Sequence, residues 1–276
     1  MDDARLEAFY GRGDDDVLAD PEWPAAHEAL LAGLECGRLR AARRDAGDAW
    51  HAVAWIKRAI LFGFRRTTLE CVFDEPWPFF DKTAYPVRRF VDSDRVRLVP
   101  GGSAVRRGAF VAPGVVVMPP AWVNVGAFVD AGTMVDSHAL VGSCAQIGKN
   151  VHLSAGAQIG GVLEPANAQP VVVEDGAFVG GLCGVFEGFV VRERAVLAAG
   201  VVLAAGTVVH DLVHDREVRH EVPAGAVVVP GSRPAHGGRA ERLGLHVAAP
   251  MIVKYRDGKT DAATALESAL RQRIRL

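Results

Sequence analysis

Cysteine is scarce in this chain. There are four in 276 residues, Cys36, Cys71, Cys144 and Cys183, without a C-x-x-C pair and without histidines at the spacing of metal ligands. This pattern excludes a disulfide framework and a zinc site of the usual sequence type. It is typical of reduced, mostly buried thiols, and Cys183 occupies a position where small residues recur. We therefore expect no bound metal.

A surplus of either charge is also missing. Lys and Arg number 31 and Asp and Glu number 33, so the formal net charge is 31 − 33 = −2. This balance gives no reason to expect nucleic acid or an anionic membrane as the main partner. No apolar run approaches the roughly 20 residues of a transmembrane helix, and residues 1–16 are acidic, unlike a signal peptide. We expect a cytoplasmic protein.

An aliphatic residue recurs at every sixth position through the middle of the chain. One series runs from Val105 to Ile159 and a second runs from Val173 to Val209, and the residue four places after each aliphatic is usually small. A period of six fits neither a helix nor a two-residue alternation, and the strands of an antiparallel sandwich do not hold such a phase. The repeat predicts a parallel β-helix, in which three hexads form one triangular coil. The hexad motif indicates the left-handed form, whose usual activity is acyl transfer.

The expected fold class is therefore mainly β: a left-handed parallel β-helix with an N-terminal α/β helical domain and a C-terminal strand-helix cap. We assign residues 1–102 to the N-terminal domain, 103–230 to the solenoid and 231–276 to the C-terminal extension. An eight-residue interruption after Ile159 predicts a loop at 160–170. Because insertions in a regular solenoid are seldom needed for stability, we interpret this loop as the wall of a binding groove.

Outside the repeat, the sequence predicts a few separate elements. In the N-terminal part we expect helices at 24–34 and 53–64, two short strands around a turn at 46–48, and an ordered connector at 71–87 that is rich in proline and aromatic residues. In the C-terminal part we expect a strand at 244–256 and a capping helix at 260–274.

The central run of the chain is more specific than a generic hexad pattern. Residues 132–156 read GTMVDSHALVGSCAQIGKNVHLSAG, and residues 159–165 read IGGVLEP. This stretch resembles the signature of the tetrahydrodipicolinate N-succinyltransferases of lysine biosynthesis, and the resemblance extends to residues 55–65, 96–100 and 222–229. It implies a homotrimer with active sites between subunits. It also implies succinyl transfer from the co-substrate succinyl-CoA to the amine of tetrahydrodipicolinate, in the diaminopimelate route.

The resemblance assigns roles to two residues. The substrate-binding arginine of the family falls on Arg97, and its catalytic aspartate falls on Asp136. The sequence offers a separate argument for Asp136, which follows the inward-facing Val135 and therefore lies at an edge of the prism. A carboxylate there could orient an ammonium group or accept its proton.

The chain departs from the family pattern in the coil after the loop. The family carries G-A-R-S-E-V-V-E-G there, whereas residues 180–188 read GGLCGVFEG. The arginine is replaced by Leu182 and the first glutamate by Gly184, while the second glutamate remains as Glu187. In addition, His138 stands where the family has tryptophan. Either Glu187, His138 or both supply the missing proton-transfer group, or the acceptor has changed.

Further residues are candidates for binding. Arg65, at a helix end, could pair with a substrate carboxylate. An oxyanion is best stabilised by a backbone N–H at a glycine corner. The candidates for contacts to the acyl-CoA, including that N–H and cations for its phosphates, are Ser154, Gly160, Gly161, Arg233 and Lys254.

Two other classes of function compete with this interpretation. The fold could be kept with a changed donor, such as acetyl-CoA, or with a related amino diacid as acceptor. Alternatively, the solenoid could be a scaffold or a metal protein of the γ-carbonic anhydrase kind. The metal version needs three converging histidines, and the spacing of His138, His152 and His210 does not place them on one site.

Overall fold

The computed structural model describes residues 1–73 and 79–258. The middle of the chain is a left-handed parallel β-helix with three flat faces, which we call A, B and C in the order in which the chain first visits them. Each coil contributes one two-residue strand to each face, and the strands of successive coils pair in parallel. On face A, Val117 pairs with Val135 and Val135 with Leu153, which confirms the coil of 18 residues.

The solenoid strands are as follows. Face A is built from β5 (Arg97–Leu98), β8 (Val116–Val117), β11 (Met134–Val135), β14 (His152–Leu153), β17 (Phe178–Val179), β20 (Val196–Leu197) and β25 (Ala226–Val229). Face B is built from β6 (Ala104–Val105), β9 (Trp122–Val123), β12 (Leu140–Val141), β15 (Gln158–Ile159), β18 (Gly184–Val185) and β21 (Val202–Leu203). Face C is built from β7 (Phe110–Val111), β10 (Phe128–Val129), β13 (Gln146–Ile147), β16 (Val172–Val173), β19 (Val190–Val191) and β24 (Glu221–Val222).

The aliphatic hexad residues fill the prism. From Val105 to Val209 every one of them is buried, and the small residues four places later pack beside them, for example Ala109, Ala157 and Cys183. This confirms the core predicted from the repeat. Parallel pairing begins at β5, six residues before the expected solenoid boundary at residue 103.

The corners of the prism need a tight bend, and at most of them the residue three places after the inward aliphatic takes a positive φ. Glycine occupies this position at Gly132 and Gly156, with φ of 71° and 72°, because it has no Cβ to clash. Asn150 takes the same conformation at φ 53°, which asparagine tolerates better than most residues.

The N-terminal domain packs on face C. It contains α1 (Asp3–Gly11), α2 (Asp14–Ala19), α3 (Trp23–Glu35) and α4 (Ala54–Arg66), the hairpin β1 (Ala42–Arg44) and β2 (Trp50–Ala52), and the hairpin β3 (Leu69–Phe73) and β4 (Phe79–Lys82), followed by a 3₁₀ turn at Asp92–Asp94. The predicted helices at 24–34 and 53–64 are confirmed as α3 and α4. The acidic helices α1 and α2 escaped prediction, because apolar residues are too sparse there to show a helical period. The connector at 71–87 contains part of a hairpin.

The contacts with face C are specific. The guanidinium of Arg40 lies 3.7 Å from the centroid of the Phe128 ring, and its Nε donates to Gln146 Oε1 at 3.0 Å. The indole N–H of Trp50 donates to the buried carboxylate of Glu174 at 2.8 Å. Beside these residues the structure holds a polar cleft of about 130 Å³. Face C is thus covered by the N-terminal domain, whereas His138 and Leu182 at the corner between faces A and B are exposed.

The C-terminal part closes the last coils. Its elements are β22 (Val208–Asp211), β23 (Arg216–Arg219), β26 (Ser232–Pro234), α5 (Gly238–Leu243), β27 (His246–Ala248) and β28 (Met251–Tyr255). The predicted strand at 244–256 is two strands, interrupted around Pro250, which has no N–H to donate. The short α5 was not predicted, and the predicted helix at 260–274 lies outside the described residues.

Asp211 joins these closing elements. Its buried carboxylate accepts hydrogen bonds from Tyr255 Oη at 2.8 Å, His214 Nδ1 at 2.9 Å and Arg216 Nε at 3.1 Å. Burial by itself would raise the pKa of Asp211, but these donors outweigh it and hold the pKa well below its usual range. The carboxylate therefore stays ionised and ties β22, β23 and β28 together.

The small inward residues predict a response to overpacking. Ala157 is fully buried, so Ala157→Leu should lower the free energy of unfolding by about 1–3 kcal/mol, measured by chemical denaturation. Val202→Leu is the control, because Val202 is 54% exposed on face B and should tolerate the added volume. Equal losses in the two variants would contradict the inward packing.

Candidate active site

Asp136 lies at the corner between faces A and B, as its place in the hexad predicts. It follows β11 directly and is half-buried, and its Oδ1 accepts the backbone N–H of Ser137 at 2.7 Å. That bond fixes the plane of the carboxylate and leaves Oδ2 without a partner among the described residues. A half-buried carboxylate with one oxygen held and the other available can receive an amine.

His138 and Ser154 belong to the same corner, which we call the Asp136 corner (residues 136–139 and 154–157). His138 takes a positive φ of 61° and is exposed, and its backbone carbonyl accepts from the side-chain amide of Gln158 at 3.0 Å. Ser154 follows β14, one coil further along, where the Asp136 N–H donates to the Leu153 carbonyl. The structure therefore brings Asp136, His138 and Ser154 together.

Gly160, Gly161 and Glu187 lie at the next corner, between faces B and C. We call it the loop corner (residues 160–171 and 186–189). The N–H of Gly160 donates to the Val185 carbonyl at 2.8 Å, so the prediction that it is free to stabilise an oxyanion is wrong. The hydrogen bond arises because Gly160 still belongs to the regular ladder. Gly161 is exposed, and its N–H has no acceptor among the described residues.

Glu187 is exposed at the loop corner, with a positive φ of 54°. Its Oε2 accepts the backbone N–H of Ala205 at 3.0 Å, one coil further along. The other oxygen has no partner within the described ranges, so Glu187 resembles Asp136 in having one carboxylate oxygen held and one available.

The two corners are far apart within one chain. They lie at opposite ends of face B, and one side of the prism is six residues long, which is at most roughly 20 Å. Asp136 precedes β12 and Glu187 follows β18, two strand spacings away, which adds about 10 Å along the stack. Because a proton acceptor must lie within about 3 Å of its partner, the two carboxylates of one chain cannot contact the same amine.

Arg97 stands on the outer side of face A. It pairs in register with Val116, two strand spacings from Met134, which places it about 10 Å along the stack from the Asp136 corner. The side chain is exposed, and within the described part of the chain it makes no hydrogen bond or ion pair. A free guanidinium at this distance can hold the far carboxylate of a substrate whose amine lies at Asp136.

Arg65 is already engaged inside the N-terminal domain. Its guanidinium forms an ion pair with Asp14 at 2.5 Å and lies 5.4 Å from the centroid of the Phe62 ring. Hydrogen bonds from Arg65 and Arg58 lower the pKa of Asp14. The structure does not bring Arg65 to the Asp136 corner, and the ion pair explains the arginine without a substrate.

The two cations predicted to bind phosphates lie near the C-terminal end of the solenoid. Arg233 is exposed in β26, and Lys254 lies in β28 with its Nζ 3.3 Å from Asp257. From β14 to β28 there are four strand spacings, about 19 Å along face A from Ser154. Lys254 is thus partly neutralised, whereas the Arg233 guanidinium donates only to the neighbouring Pro234 carbonyl among the described residues.

The coil that departs from the family pattern has an apolar surface. A Cβ added to Gly184 would lie 2.4 Å from Cε2 of Phe186, so the phenyl ring occupies the space above the glycine. Leu182, two residues before the glycine, is 76% exposed and lies at the Asp136 corner, where its N–H donates to the Ala155 carbonyl. The loss of the glutamate is visible in the sequence, whereas the position of the Phe186 ring over Gly184 is not.

Other candidates are explained by packing. His152 is buried and stacks on Phe178 with ring centroids 5.0 Å apart. Burial also raises the pKa of the Cys144 thiol to about 12, which argues against a nucleophilic role. Among the described residues no group of three or more His, Cys, Asp or Glu side chains is placed to hold a metal, and none of the helices there is long and apolar enough to cross a membrane.

Sequence comparisons give the family. The model "Tetrahydrodipicolinate N-succinyltransferase N-terminal" matches residues 5–65, and the model "Hexapeptide repeat of succinyl-transferase" matches residues 170–205. The 2,3,4,5-tetrahydropyridine-2,6-dicarboxylate N-succinyltransferase of Bordetella petrii is 44% identical over 92% of this chain and 92% of its own length. That of Aromatoleum aromaticum is 45% identical over 88% of each chain. The chain therefore belongs to the tetrahydrodipicolinate N-succinyltransferase family of hexapeptide-repeat acyltransferases.

Proposed function

We propose that this protein transfers the succinyl group of succinyl-CoA to the amine of an open-chain form of tetrahydrodipicolinate, as a cytoplasmic enzyme of the diaminopimelate route to lysine. The observation that carries the proposal is the carboxylate of Asp136, half-buried beside the exposed His138, with one oxygen fixed and the other free of partners among the described residues. The substrates are those in the names of the relatives. The signature run around Asp136 supports the same substrates for this chain.

The active unit we propose is a homotrimer. In one chain the Asp136 corner and the loop corner are separated by the whole of face B, and face C is covered by the N-terminal domain. Packing the Asp136 corner of one protomer against the loop corner of the next would bring both carboxylates and the Gly161 amide to one groove. A closed three-fold arrangement repeats that contact at all three interfaces.

The reaction needs no covalent enzyme intermediate. The substrate amine attacks the thioester carbonyl carbon, and its proton passes to Asp136, or to Glu187 or His138 beside it. The carbonyl oxygen becomes an oxyanion that accepts the N–H of Gly161. The C–S bond then breaks, the amide forms, and the CoA thiolate takes up a proton. A positioned base of this kind contributes typically about 10²–10⁴-fold.

The contacts to the two substrates lie towards opposite ends of the solenoid. Arg97 pairs with a carboxylate of the acceptor through two parallel N–H···O bonds. At the other end of the stack Arg233 receives a phosphate of CoA, with a smaller contribution from Lys254, whose charge is shared with Asp257. Ser154 lies between these ends and contacts the arm that links the thioester to the phosphates.

The donor and acceptor are tested by thiol release. With succinyl-CoA and 2-aminopimelate as a stable acceptor, Asp136→Asn should lower kcat by about 10²–10⁴-fold, because the amine loses its proton acceptor. Arg97→Met should raise KM for the acceptor by about tenfold or more, and Arg65→Met is the matched control that should leave KM unchanged. Turnover with acetyl-CoA but not with succinyl-CoA would show that acetyl-CoA is the donor. Full activity of Asp136→Asn would overturn the proposal.

The apolar coil favours a second candidate, in which the acceptor differs from tetrahydrodipicolinate. Gly184 and Phe186 together remove a carboxylate and fill its place with a ring, and Leu182 adds further apolar surface. An amino diacid with an apolar segment at this point would fit this surface better than a uniformly polar one. Turnover of such an acceptor in preference to 2-aminopimelate would select this candidate.

The coupling of Gly184 and Phe186 can be measured separately from activity. Gly184→Glu should lower the free energy of unfolding by about 1–3 kcal/mol, since its Cβ would lie 2.4 Å from the ring. Adding Phe186→Val should restore most of the loss, as followed by chemical denaturation. Additive losses in the double variant would show that the ring does not exclude the glutamate.

A further inference from the structure

A lysine is completely buried in helix α4, on the side that packs against the solenoid. Lys57 has no exposed surface, and its neighbours in the helix, Ile56 and Ile60, belong to the apolar core of the N-terminal domain. A buried ammonium costs free energy unless its charge and its donors are satisfied. The sequence predicts a helix at 53–64 but gives no sign that this lysine is buried.

The partners of Lys57 are backbone atoms of the inserted loop. Its Nζ donates to the carbonyls of Pro165 at 3.0 Å and of Ala168 at 2.5 Å. Burial lowers the pKa of Lys57, and the only nearby titratable group that acts on it within the described residues is the Cys144 thiol. The ammonium is thus held by two carbonyl groups of the loop. The Pro165 carbonyl also accepts the backbone N–H of Ala168 at 3.0 Å, so Lys57 binds across a turn of the loop.

The start of the loop and its outer part are held by different parts of the structure. At its start, Gly160 donates to Val185 at 2.8 Å and Val162 donates to Ser143 at 3.2 Å, so the solenoid fixes the Gly161 amide between them. Further along, Leu163 packs against the N-terminal core, and Lys57 bonds to Pro165 and Ala168. The outer part of the loop therefore depends on helix α4.

We propose that Lys57 is a positioning residue, whose ammonium holds the outer part of the 160–171 loop as the wall of the acyl-transfer groove. It does not touch substrate, and it acts through the loop. The inference rests on the proposed function, because the groove is the place where the loop has its effect. It predicts that loss of Lys57 weakens substrate binding and spares the chemical step, since the Gly161 amide is fixed by the solenoid.

The first test compares Lys57→Met with Arg58→Met. Methionine keeps the length of the stem and removes the donors. Arg58 is the matched control on the same helix, because its guanidinium pairs with Asp14 and does not contact the loop. For Lys57→Met we expect a rise of about tenfold in KM for the substrates with kcat within about twofold, and faster hydrogen exchange at the Ala168 amide. For Arg58→Met we expect neither change.

The outcomes separate this inference from the proposed function. Hydrogen exchange reports on the loop even if the wild-type enzyme does not turn over succinyl-CoA. Unchanged exchange in Lys57→Met would overturn the inference, and so would faster exchange with unchanged KM. A fall in kcat with unchanged KM would also overturn it, because a loop that forms the wall of the groove should affect substrate binding.

A second pair of variants covers the case in which Lys57→Met does not fold. Deletion of residues 162–169 removes eight residues, the length by which the pairing of Ile147 with Val173 exceeds one regular coil. In this background Lys57 has lost its acceptors, so Lys57→Met should leave the melting temperature unchanged or raise it. A fall in melting temperature as large as in the full-length chain would show that the lysine supports the core and not the loop.

Discussion

The in-register stacking of aliphatic side chains inside the prism is the interaction on which the rest of the structure depends. Because each coil returns to the same position after 18 residues, Val117, Val135 and Leu153 lie directly above one another. The same repeat fixes where every corner residue stands. Asp136 and Ser154 share a corner since they are 18 residues apart, and Glu187 must stand at another corner since its phase differs. The positions of the proposed catalytic groups thus follow from the packing of the core.

The N-terminal domain decides which surfaces of the prism stay available. Arg40 and Trp50 fasten it to face C, and Lys57 fastens it to the inserted loop. Because the N-terminal domain covers face C, the groove that we propose between protomers uses the Asp136 corner and the outer side of face B. The domain therefore has two effects, blocking one face and shaping the loop beside the next.

The solenoid could be predicted from sequence almost residue by residue, because a six-residue period leaves one register that buries all its aliphatics. The place of Asp136 followed from the same rule. The contacts of Lys57 and the ring of Phe186 over Gly184 could not be predicted, since they join residues whose proximity depends on how the domain docks and which rotamer a side chain adopts. The Gly160 amide was misjudged because the sequence does not reveal where the regular ladder ends and the loop begins.

The claim that the site is shared between protomers is tested most directly by complementation. Asp136→Asn and Glu187→Gln chains, each first shown to be folded and inactive alone, would be unfolded together, refolded as mixed assemblies and assayed for thiol release from succinyl-CoA. The account predicts recovery of activity, up to about a quarter of the wild-type sites by random assortment of chains in a three-fold ring. No recovery from two folded, individually inactive variants would contradict a groove built from the Asp136 corner of one protomer and the loop corner of the next.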